Sequence, residues 1–269
     1  ADAVVSALES ARGGDGGDIL VFLPGKREIA GCEQVLQRRL TARHGVELMV
    51  VHGQLPTDRI ASALADHSGA RRVFLATNVA ETSLTIPRVT TVIDSGLVRM
   101  RTHRAGRAGL VTLPISKASM DQRSGRAGRV APGKSIRLWS SRFAPVPERP
   151  PEVTRIELDD VVLRAAVGGL TGDAFLRAPW ITPPPAFAVE QASSRLKALG
   201  ALTPAGEPSE LGRSLLRLPV SPHEARILVD PPPELVATLC DLVGILQARA
   251  DILRPLSSMP ASYQAGIEQ

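Results

Sequence analysis

Ile19-Leu20-Val21-Phe22-Leu23 is a continuous apolar run, and Pro24-Gly25 ends it. A helical pattern follows, with apolar residues at the spacing of one helix face: Ile29, Cys32, Val35, Leu36 and Leu40. A strand that is apolar at every position is typical of a parallel sheet, because helices cover both of its faces. This stretch therefore predicts an α/β fold.

The same kind of strand recurs along the first half of the chain. Apolar runs lie at residues 48–51, 73–76, 89–93, 110–115 and 136–139. Helical patterns stand between several of them, including one that contains Ile60, Ala63 and Leu64. Strands that alternate with helices predict a parallel sheet with helices on both faces.

Proline clusters divide the rest of the chain. Residues 145–151 are rich in proline and predict a linker. Beyond them the pattern becomes helical, with a turn-rich segment at 202–218 whose size and order suit a winged-helix unit. We therefore expect three parts: an α/β domain at 1–145, a winged helix at 146–222 and the start of a helical bundle at 223–269.

The composition is that of an ordinary globular protein, with 43% apolar and 22% charged residues in 269. No run of eighteen apolar residues occurs, so we expect no membrane span. The N-terminus shows no basic region followed by an apolar run, which argues against a secretory signal. Cys32 and Cys240 are the only cysteines and fall in apolar helical patterns. They favour buried thiols, no metal site and a cytoplasmic location.

The net charge of +5 favours a polyanionic partner. Basic residues cluster between Arg99 and Arg142, where Asp121 is the only acid. Aromatic residues make up only 3% of the chain, so few rings could stack on bases. Binding of a nucleic acid would therefore rely mainly on its phosphates and on backbone amides of the protein.

Residues 128–135 fit the phosphate-binding pattern G-x-x-x-x-G-K-[ST]. Such a loop must leave a strand and open a helix, so that the amides at the helix start meet phosphate. Here an arginine-rich helical stretch precedes the pattern and the apolar run 136–139 follows it. A stand-alone P-loop kinase that uses Lys134 and Ser135 therefore fails on strand order. Asp94 also ends an apolar run, but no glutamate follows it, so we expect no productive ATP binding by this chain alone.

The segment Gln122-Arg123-Ser124-Gly125-Arg126-Ala127-Gly128-Arg129 carries the strongest functional signal. On a helix, Gln122, Arg126 and Arg129 would share one face, because they stand four and three residues apart. Glycine costs a helix about 1 kcal/mol relative to alanine, so close packing is expected to offset the two glycines. Two arginines on one face suit a triphosphate undergoing cleavage, where negative charge builds up. The alternatives are a solvated basic helix and a plain phosphate-binding face.

The sequence resembles the sequences of the DEAH-box RNA helicases of superfamily 2. Five segments resemble motifs of that family in the family's order: residues 19–25 (motif IV), 52–56 (motif IVa), 77–86 (motif V), 114–119 (the lead-in to motif VI) and 122–129 (motif VI). The likeness covers residues 1 to about 260 and is greatest to the bacterial HrpB type. It implies that the chain holds the second RecA-like domain, and that the first RecA-like domain of the same protein lies outside it.

The resemblance implies roles at the nucleotide. Arg126 and Arg129 would be arginine fingers for ATP, which the first domain would bind together with Mg²⁺, and Gln122 would position the attacking water or the γ-phosphate. Further nucleotide contacts are implied for Glu81, Asp94 and Leu64. Two positions depart from the family. Leu64 stands where many members have an aromatic residue for the adenine, and Pro87-Arg88 replaces an acidic or small residue followed by glycine.

The resemblance also implies contacts with RNA, either single-stranded or in a duplex that is being unwound. The implied residues are Gly25, Lys26, Gly53, Gln54, Thr77, Asn78, Arg99, Arg101 and Arg104. Thr77 and Asn78 follow an apolar run, where free N–H groups can meet a phosphate, although Thr77 also suits a helix N-cap. The two glycines would let the backbone approach the strand, or would simply form turns. The arginines lie at 97–112, where the family carries a strand-separating β-hairpin; a mobile charged loop is the alternative.

We therefore expect the C-terminal half of an ATP-dependent RNA helicase, which alone would bind RNA weakly and hydrolyse nothing. The alternative is a winged-helix nucleic-acid-binding module without motor activity. That module would explain residues 151–220 and the basic charge, but it would explain none of the five motif segments.

Overall fold

Five of the six apolar runs contribute strands to one parallel sheet in the computed structural model. The strands are β1 (Asp18–Phe22), β2 (Val46–Val51), β3 (Arg71–Ala76), β4 (Val89–Asp94) and β7 (Lys134–Arg137). They lie in the order β2-β3-β1-β4-β7, so β1 is central, and each of its five residues is buried. The α/β class that the run at 19–23 predicts is confirmed.

The structure describes residues 1–10, 16–40, 45–65, 69–82, 84–104, 107–129 and 132–247, without the side chains of residues 103, 104, 107 and 108. No helix within these ranges has the length and apolarity that crossing a membrane requires. The chain divides into two compact units between Pro150 and Pro151. The division falls at the end of the proline-rich segment rather than at residue 145.

Helices cover both faces of the sheet. They are α1 (Asp2–Ser10), α2 (Lys26–Arg39), α3 (Thr57–Leu64), α4 (Val79–Thr82) and α5 (Lys117–Ser124). Successive residues of β1 point to opposite faces. Ile19 and Val21 pack in one core with α1 and α2, while Leu20 and Phe22 pack in the other with α3 and α4. Leu64, which the resemblance places near an adenine, is half-buried against this second core.

The hairpin that the resemblance implies is present. Strand β5 (Leu97–Arg104) pairs antiparallel with β6 (Arg107–Pro114), apart from the parallel sheet. The prediction that the run 110–115 belongs to the parallel sheet is wrong, and Leu110 is 67% exposed. The prediction fails because an antiparallel hairpin can bury one face and leave the other face exposed to solvent. Val98 and Met100 lie on the buried face.

The departure from the family at Pro87-Arg88 has a structural consequence. Arg88 has a φ of 63°, which lies in the left-handed region that favours glycine and costs other residues about 1–2 kcal/mol. Its main-chain oxygen accepts a hydrogen bond of 2.8 Å from the Asp18 N–H at the start of β1. Arg88 therefore has a backbone conformation that glycine would adopt at lower cost.

A buried ion pair lies at the amino ends of the strands. Asp18 accepts hydrogen bonds from the Arg72 main-chain N–H, Nε and Nη2 at 3.0, 3.1 and 2.8 Å. The Arg72 side chain is 4% exposed and the Asp18 side chain 0%. The Arg72 guanidinium also lies 5.0 Å from the centre of the Phe74 ring. This pair joins β1 to β3 on the side of the sheet opposite the motif segments.

The second unit is helical. Its helices are α6 (Asp159–Val167), α7 (Gly172–Leu176), α8 (Ala186–Ala198), α9 (Glu210–Leu215), α10 (Pro222–Leu228) and α11 (Val236–Gln247), with 3₁₀ turns at Glu152–Thr154 and Pro233–Leu235. An antiparallel bridge joins Leu202 and Pro208 between α8 and α9. Leu196 of α8 and Ala225 of α10 belong to one core, so α10 packs with the part expected at 146–222. The winged-helix assignment stays a prediction.

A buried carboxylate connects three helices of this unit. Asp159 of α6 accepts hydrogen bonds of 2.9 and 2.5 Å from Arg195 of α8. His223 Nε2 of α10 lies 3.3 Å from Asp159 Oδ1. The hydrogen bond that Arg195 donates to Asp159 raises the pKa of Arg195. These polar contacts fasten α8 and α10 to α6 beside their shared apolar core.

Candidate nucleotide and nucleic-acid site

The carboxyl ends of the parallel strands meet at one edge of the sheet, which is where ligands bind in open α/β folds. Six residues implied to contact RNA lie just beyond these ends: Gly25 and Lys26 after β1, Gly53 and Gln54 after β2, and Thr77 and Asn78 after β3. Four of them are exposed, namely Lys26, Gly53, Gln54 and Asn78. The sheet therefore brings three separate motif segments to one accessible edge.

Backbone hydrogen bonds fix these strand ends to one another. The Leu23 N–H donates to the Ala76 oxygen at 2.8 Å, and the Thr77 N–H donates to the Val51 oxygen at 3.1 Å. The expectation of a free N–H at Thr77 therefore needs correction, because that group extends the pairing of β2 with β3. The Thr77 oxygen accepts from the Ala80 N–H at 3.1 Å, so Thr77 also begins the turn into α4.

Lys26 and His52 lie close together across this edge. Burial is the main cause that lowers the pKa of His52 below its ordinary 6.5, and the positive charge of Lys26 lowers it further. The Gln54 N–H donates to His52 Nδ1 at 3.3 Å, which requires an unprotonated Nδ1. The positive charge of Lys26 after β1 thus acts on His52 after β2, and the lowered pKa favours the neutral form of the histidine.

Replacing Lys26 by glutamine should raise the pKa of His52, because the repulsion from the lysine is removed. The pKa should stay below 6.5, since burial is the larger cause. In the wild type, the pKa of His52 is lower in the folded protein than in the unfolded chain. The protein therefore loses stability as the pH falls from about 6.5 through the pKa of the folded state. An NMR titration of the His52 ring measures the shift. Arg27→Gln, one position along the chain, is the control and should leave the pKa unchanged.

Arg99 of the hairpin is held against α2. Its Nη2 donates to Glu28 Oε1 at 2.9 Å, and a Cβ on Gly25 would stand only 2.6 Å from Arg99 Nη1. Gly25 therefore leaves room for the arginine side chain, whereas the sequence suggests close approach of RNA. Arg99 would have to leave Glu28 before its guanidinium could face a phosphate. Arg101 is exposed, and the side chain of Arg104 lies outside the described residues.

The 122–129 segment does not continue as one helix. Helix α5 ends at Ser124, and the N–H groups of Arg126 and Ala127 donate to oxygens three residues earlier, at 3.1 Å each. The helix-face argument for Arg126 and Arg129 is therefore wrong beyond Ser124. The physical reason is that Gly125 and Gly128 favour tight turns over a further helical turn.

Arg126 is almost fully buried, at 5% exposure. Its guanidinium donates to the main-chain oxygens of Glu81 and Leu84, and its Nε is buried without a partner. Burial lowers the pKa of Arg126, and the nearby charge of Arg129 lowers it further. An unpaired buried donor costs free energy, and in this conformation the guanidinium is enclosed and bound to two main-chain oxygens.

Arg129 and Gln122 lie on the surface. Arg129 Nη1 donates to Thr85 Oγ1 at 3.2 Å. Both predicted arginine fingers therefore contact residues 81–85, which belong to the motif V segment. The structure brings Arg126 and Arg129 to one place, although by turns rather than by a shared helix face.

Glu81 and Asp94, implied as nucleotide contacts, have a buried partner that the sequence reasoning missed. Arg123 Nε lies 3.0 Å from Glu81 Oε2, and Arg123 Nη1 lies 2.8 Å from Asp94 Oδ1. Asp94 is 2% exposed and also accepts a hydrogen bond from the Gly96 N–H. The nucleotide role of Asp94 therefore needs correction, because its carboxylate is enclosed. The spacing of Arg123 from the buried Met120, one helical turn earlier, indicates the face of α5 on which Arg123 lies but not the acceptors that it contacts.

Residues 134 and 135 lie in strand β7 rather than at a helix start, which agrees with the rejection of the P-loop pattern. A Cβ on Gly133 would stand 2.0 Å from the Ala127 oxygen, so this glycine allows close backbone packing. Within the described part of the chain, no group of three or more His, Cys, Asp or Glu residues could hold a metal ion.

Comparisons with known proteins show which families and folds the chain resembles. Residues 2–131 match the family described as the helicase conserved C-terminal domain. The pre-mRNA-splicing factor ATP-dependent RNA helicase DEAH10 of Arabidopsis thaliana is 37% identical over 223 residues, which are 79% of this chain and 31% of that protein. ATP-dependent RNA helicase HrpA of Escherichia coli (strain K12) is 38% identical over 237 residues, 85% of this chain and 18% of that protein.

A solved structure gives the same result for the fold. The crystal structure of the Escherichia coli DEAH/RHA helicase HrpB is similar with a TM-score of 0.82 at 29% identity, over 97% of this chain and 34% of that one. The chain thus spans about a third or less of the length of these relatives. Residues 2–131 form a RecA-like helicase conserved C-terminal domain, and the chain as a whole is similar to DEAH RNA helicases.

Proposed function

We propose that this chain is the second motor domain of an ATP-dependent RNA helicase, with part of the C-terminal region attached. It acts with a first RecA-like domain of the same protein, which binds ATP, and it grips single-stranded RNA at the carboxyl edge of its sheet. One observation supports this most strongly. Arg126 and Arg129 contact the 81–85 segment, and that segment begins just after the strand end proposed for RNA.

At the nucleotide, this chain supplies cations rather than a phosphate cradle. Arg129 is exposed, and Arg126 carries a buried Nε without a partner. Positive groups near the transferred phosphoryl group stabilise the charge that develops in the transition state. Gln122, also exposed, orients the attacking water or the γ-phosphate. Mg²⁺, held with ATP by the first domain, would neutralise further phosphate charge.

The residues at the strand ends contact the phosphate backbone of the RNA. Lys26, Gln54 and Asn78 are exposed at the carboxyl edge and provide an ammonium group and two side-chain amides. Contacts of this kind position a nucleic acid without reading its sequence. The scarcity of aromatic residues, 3% of the chain, leaves little stacking of bases. We therefore propose a grip that tolerates many RNA sequences.

Replacing Lys26 by glutamine should weaken RNA binding in a salt-dependent way. Each phosphate that a protein neutralises on a single strand contributes about −0.7 to the slope of log K against log salt concentration. We expect the slope for the full-length protein to become shallower by about that amount. Fluorescence anisotropy with a labelled single-stranded RNA at several salt concentrations measures it.

Arg38→Gln is the matched control, because Arg38 is an exposed cation in the last turn of the same helix. It should leave the slope unchanged. An unchanged slope for Lys26→Gln would instead place the RNA grip elsewhere, and the second unit, proposed as a winged helix, would become the leading candidate.

A further inference from the structure

Arg123 is a buried charge within the 122–129 segment. Its side chain is 1% exposed, although Gln122 before it is exposed. The guanidinium carbon lies 4.8 Å from the centre of the Phe22 ring, at the end of β1. A charge is stable in such surroundings only when hydrogen-bonding partners compensate for the water that it has lost.

Acceptors from three segments provide that compensation. Arg123 Nε donates to Glu81 of α4 at 3.0 Å, and Nη1 donates to Asp94 at the end of β4 at 2.8 Å. Nη1 also donates to the main-chain oxygen of Leu97, the first residue of the hairpin, at 3.2 Å. A single side chain of α5 therefore fixes α4, the end of β4 and the base of the hairpin relative to one another.

Glu81 joins this network to the proposed arginine finger. Its carboxylate pairs with Arg123, while its main-chain oxygen accepts from Arg126. Helix α4 begins at Val79, immediately after Thr77 and Asn78. Any displacement of α4 by RNA would therefore move acceptors of both arginines together.

We propose that Arg123 is a positioning residue that couples RNA contact to ATP hydrolysis, an inference that rests on the proposed function. It acts through Glu81 and Arg126 and, being enclosed, touches neither RNA nor nucleotide. A guanidinium suits this role because its planar fork donates in several fixed directions at once. A lysine ammonium is a compact point charge on a flexible stem and cannot reproduce that geometry.

The chain offers a matched control in Arg72. It is also buried, pairs with a carboxylate at 2.8 Å and lies over a phenylalanine ring. Its partner Asp18 begins β1, at the opposite edge of the sheet from the motif segments. Arg72→Lys and Arg123→Lys should therefore destabilise the fold by similar mechanisms, while only Arg123→Lys changes the coupling.

The test uses the full-length protein with Arg123→Lys, with Arg72→Lys and without substitution. Basal ATP hydrolysis, hydrolysis with saturating single-stranded RNA and the unfolding midpoint are measured for each. We expect the ratio of RNA-stimulated to basal hydrolysis to fall at least about fivefold for Arg123→Lys, the lower end of typical couplings between sites. The ratio for Arg72→Lys should equal that of the wild type, even where its unfolding midpoint is lowered.

An unchanged ratio for Arg123→Lys, with a lowered unfolding midpoint, would overturn the inference and leave Arg123 with a structural role alone. If Arg123→Lys does not fold, Glu81→Gln provides the second variant, because it keeps the shape of the side chain and removes its charge. It should lower the ratio in the same way, and an unchanged ratio would overturn the inference. A wild-type protein without RNA-stimulated hydrolysis would instead overturn the proposed function, and the coupling with it.

Discussion

Replacing Arg126 by alanine should lower ATP hydrolysis by the full-length protein by roughly several hundredfold or more, the scale expected for loss of an arginine finger. The guanidinium supplies positive charge where the transferred phosphoryl group develops negative charge, and alanine supplies none. Steady-state hydrolysis with and without RNA measures the effect. RNA binding should survive, because the proposed RNA contacts lie on other segments.

Arg126 also stabilises the fold, so the experiment must distinguish a loss of catalysis from a loss of stability. Its guanidinium satisfies the main-chain oxygens of Glu81 and Leu84, so alanine leaves two carbonyl groups without this donor. Arg126→Lys keeps the charge and should retain more stability than alanine, while hydrolysis should still fall strongly because the fork geometry is lost. The unfolding midpoint of each variant shows which effect dominates.

Lys134→Ala is the control for the P-loop alternative, because Lys134 is exposed on β7. It should leave hydrolysis unchanged. Normal hydrolysis by Arg126→Ala would show that the 122–129 segment does not serve the nucleotide, and lost hydrolysis by Lys134→Ala would favour the P-loop alternative.

Replacing Asp18 by alanine should lower the free energy of unfolding of the first unit by about 3–5 kcal/mol, the usual effect of removing one partner of a buried ion pair. The Arg72 guanidinium would stay in an interior site without its carboxylate, and β1 and β3 would lose a polar connection. Urea unfolding followed by circular dichroism measures the loss. The effect is large against the total stability of a domain.

Asp2→Ala is the control, because Asp2 also pairs with an arginine, Arg39, but its side chain is 93% exposed. Exposed ion pairs contribute little to stability, so its unfolding midpoint should match the wild type. Equal midpoints for Asp18→Ala and the wild type would contradict the structural role given to the buried pair.

The sheet was predictable because short, continuous apolar runs in a globular protein are typical of strands that helices cover on both faces. The runs around β1 and β3 are apolar at nearly every position, and both strands are buried almost throughout. The run at 110–115 was assigned to the wrong sheet, since an apolar run does not reveal its pairing partner. The structure shows that β5 and β6 pair antiparallel with each other, and that Val98 and Met100 are buried on one face of this hairpin.

The site was predictable in part. Motif order and strand ends located the segments around Lys26 and Asn78, because parallel strands bring their carboxyl ends together. The buried network could not be found from spacing, since Arg123 reaches acceptors 42 and 29 positions away in the sequence. The turns after Ser124 were missed because the helix-face argument extended α5 across two glycines.

If this chain completes an ATPase site on another domain and itself binds RNA, neither part should hydrolyse ATP efficiently without the other. The most direct measurement compares ATP hydrolysis by the full-length protein and by the 269-residue chain alone, each with and without single-stranded RNA. We expect the full-length protein to hydrolyse ATP faster when RNA is present, and the chain alone to show no hydrolysis above background. Hydrolysis by the chain alone at a rate comparable to that of the full-length protein would contradict this expectation.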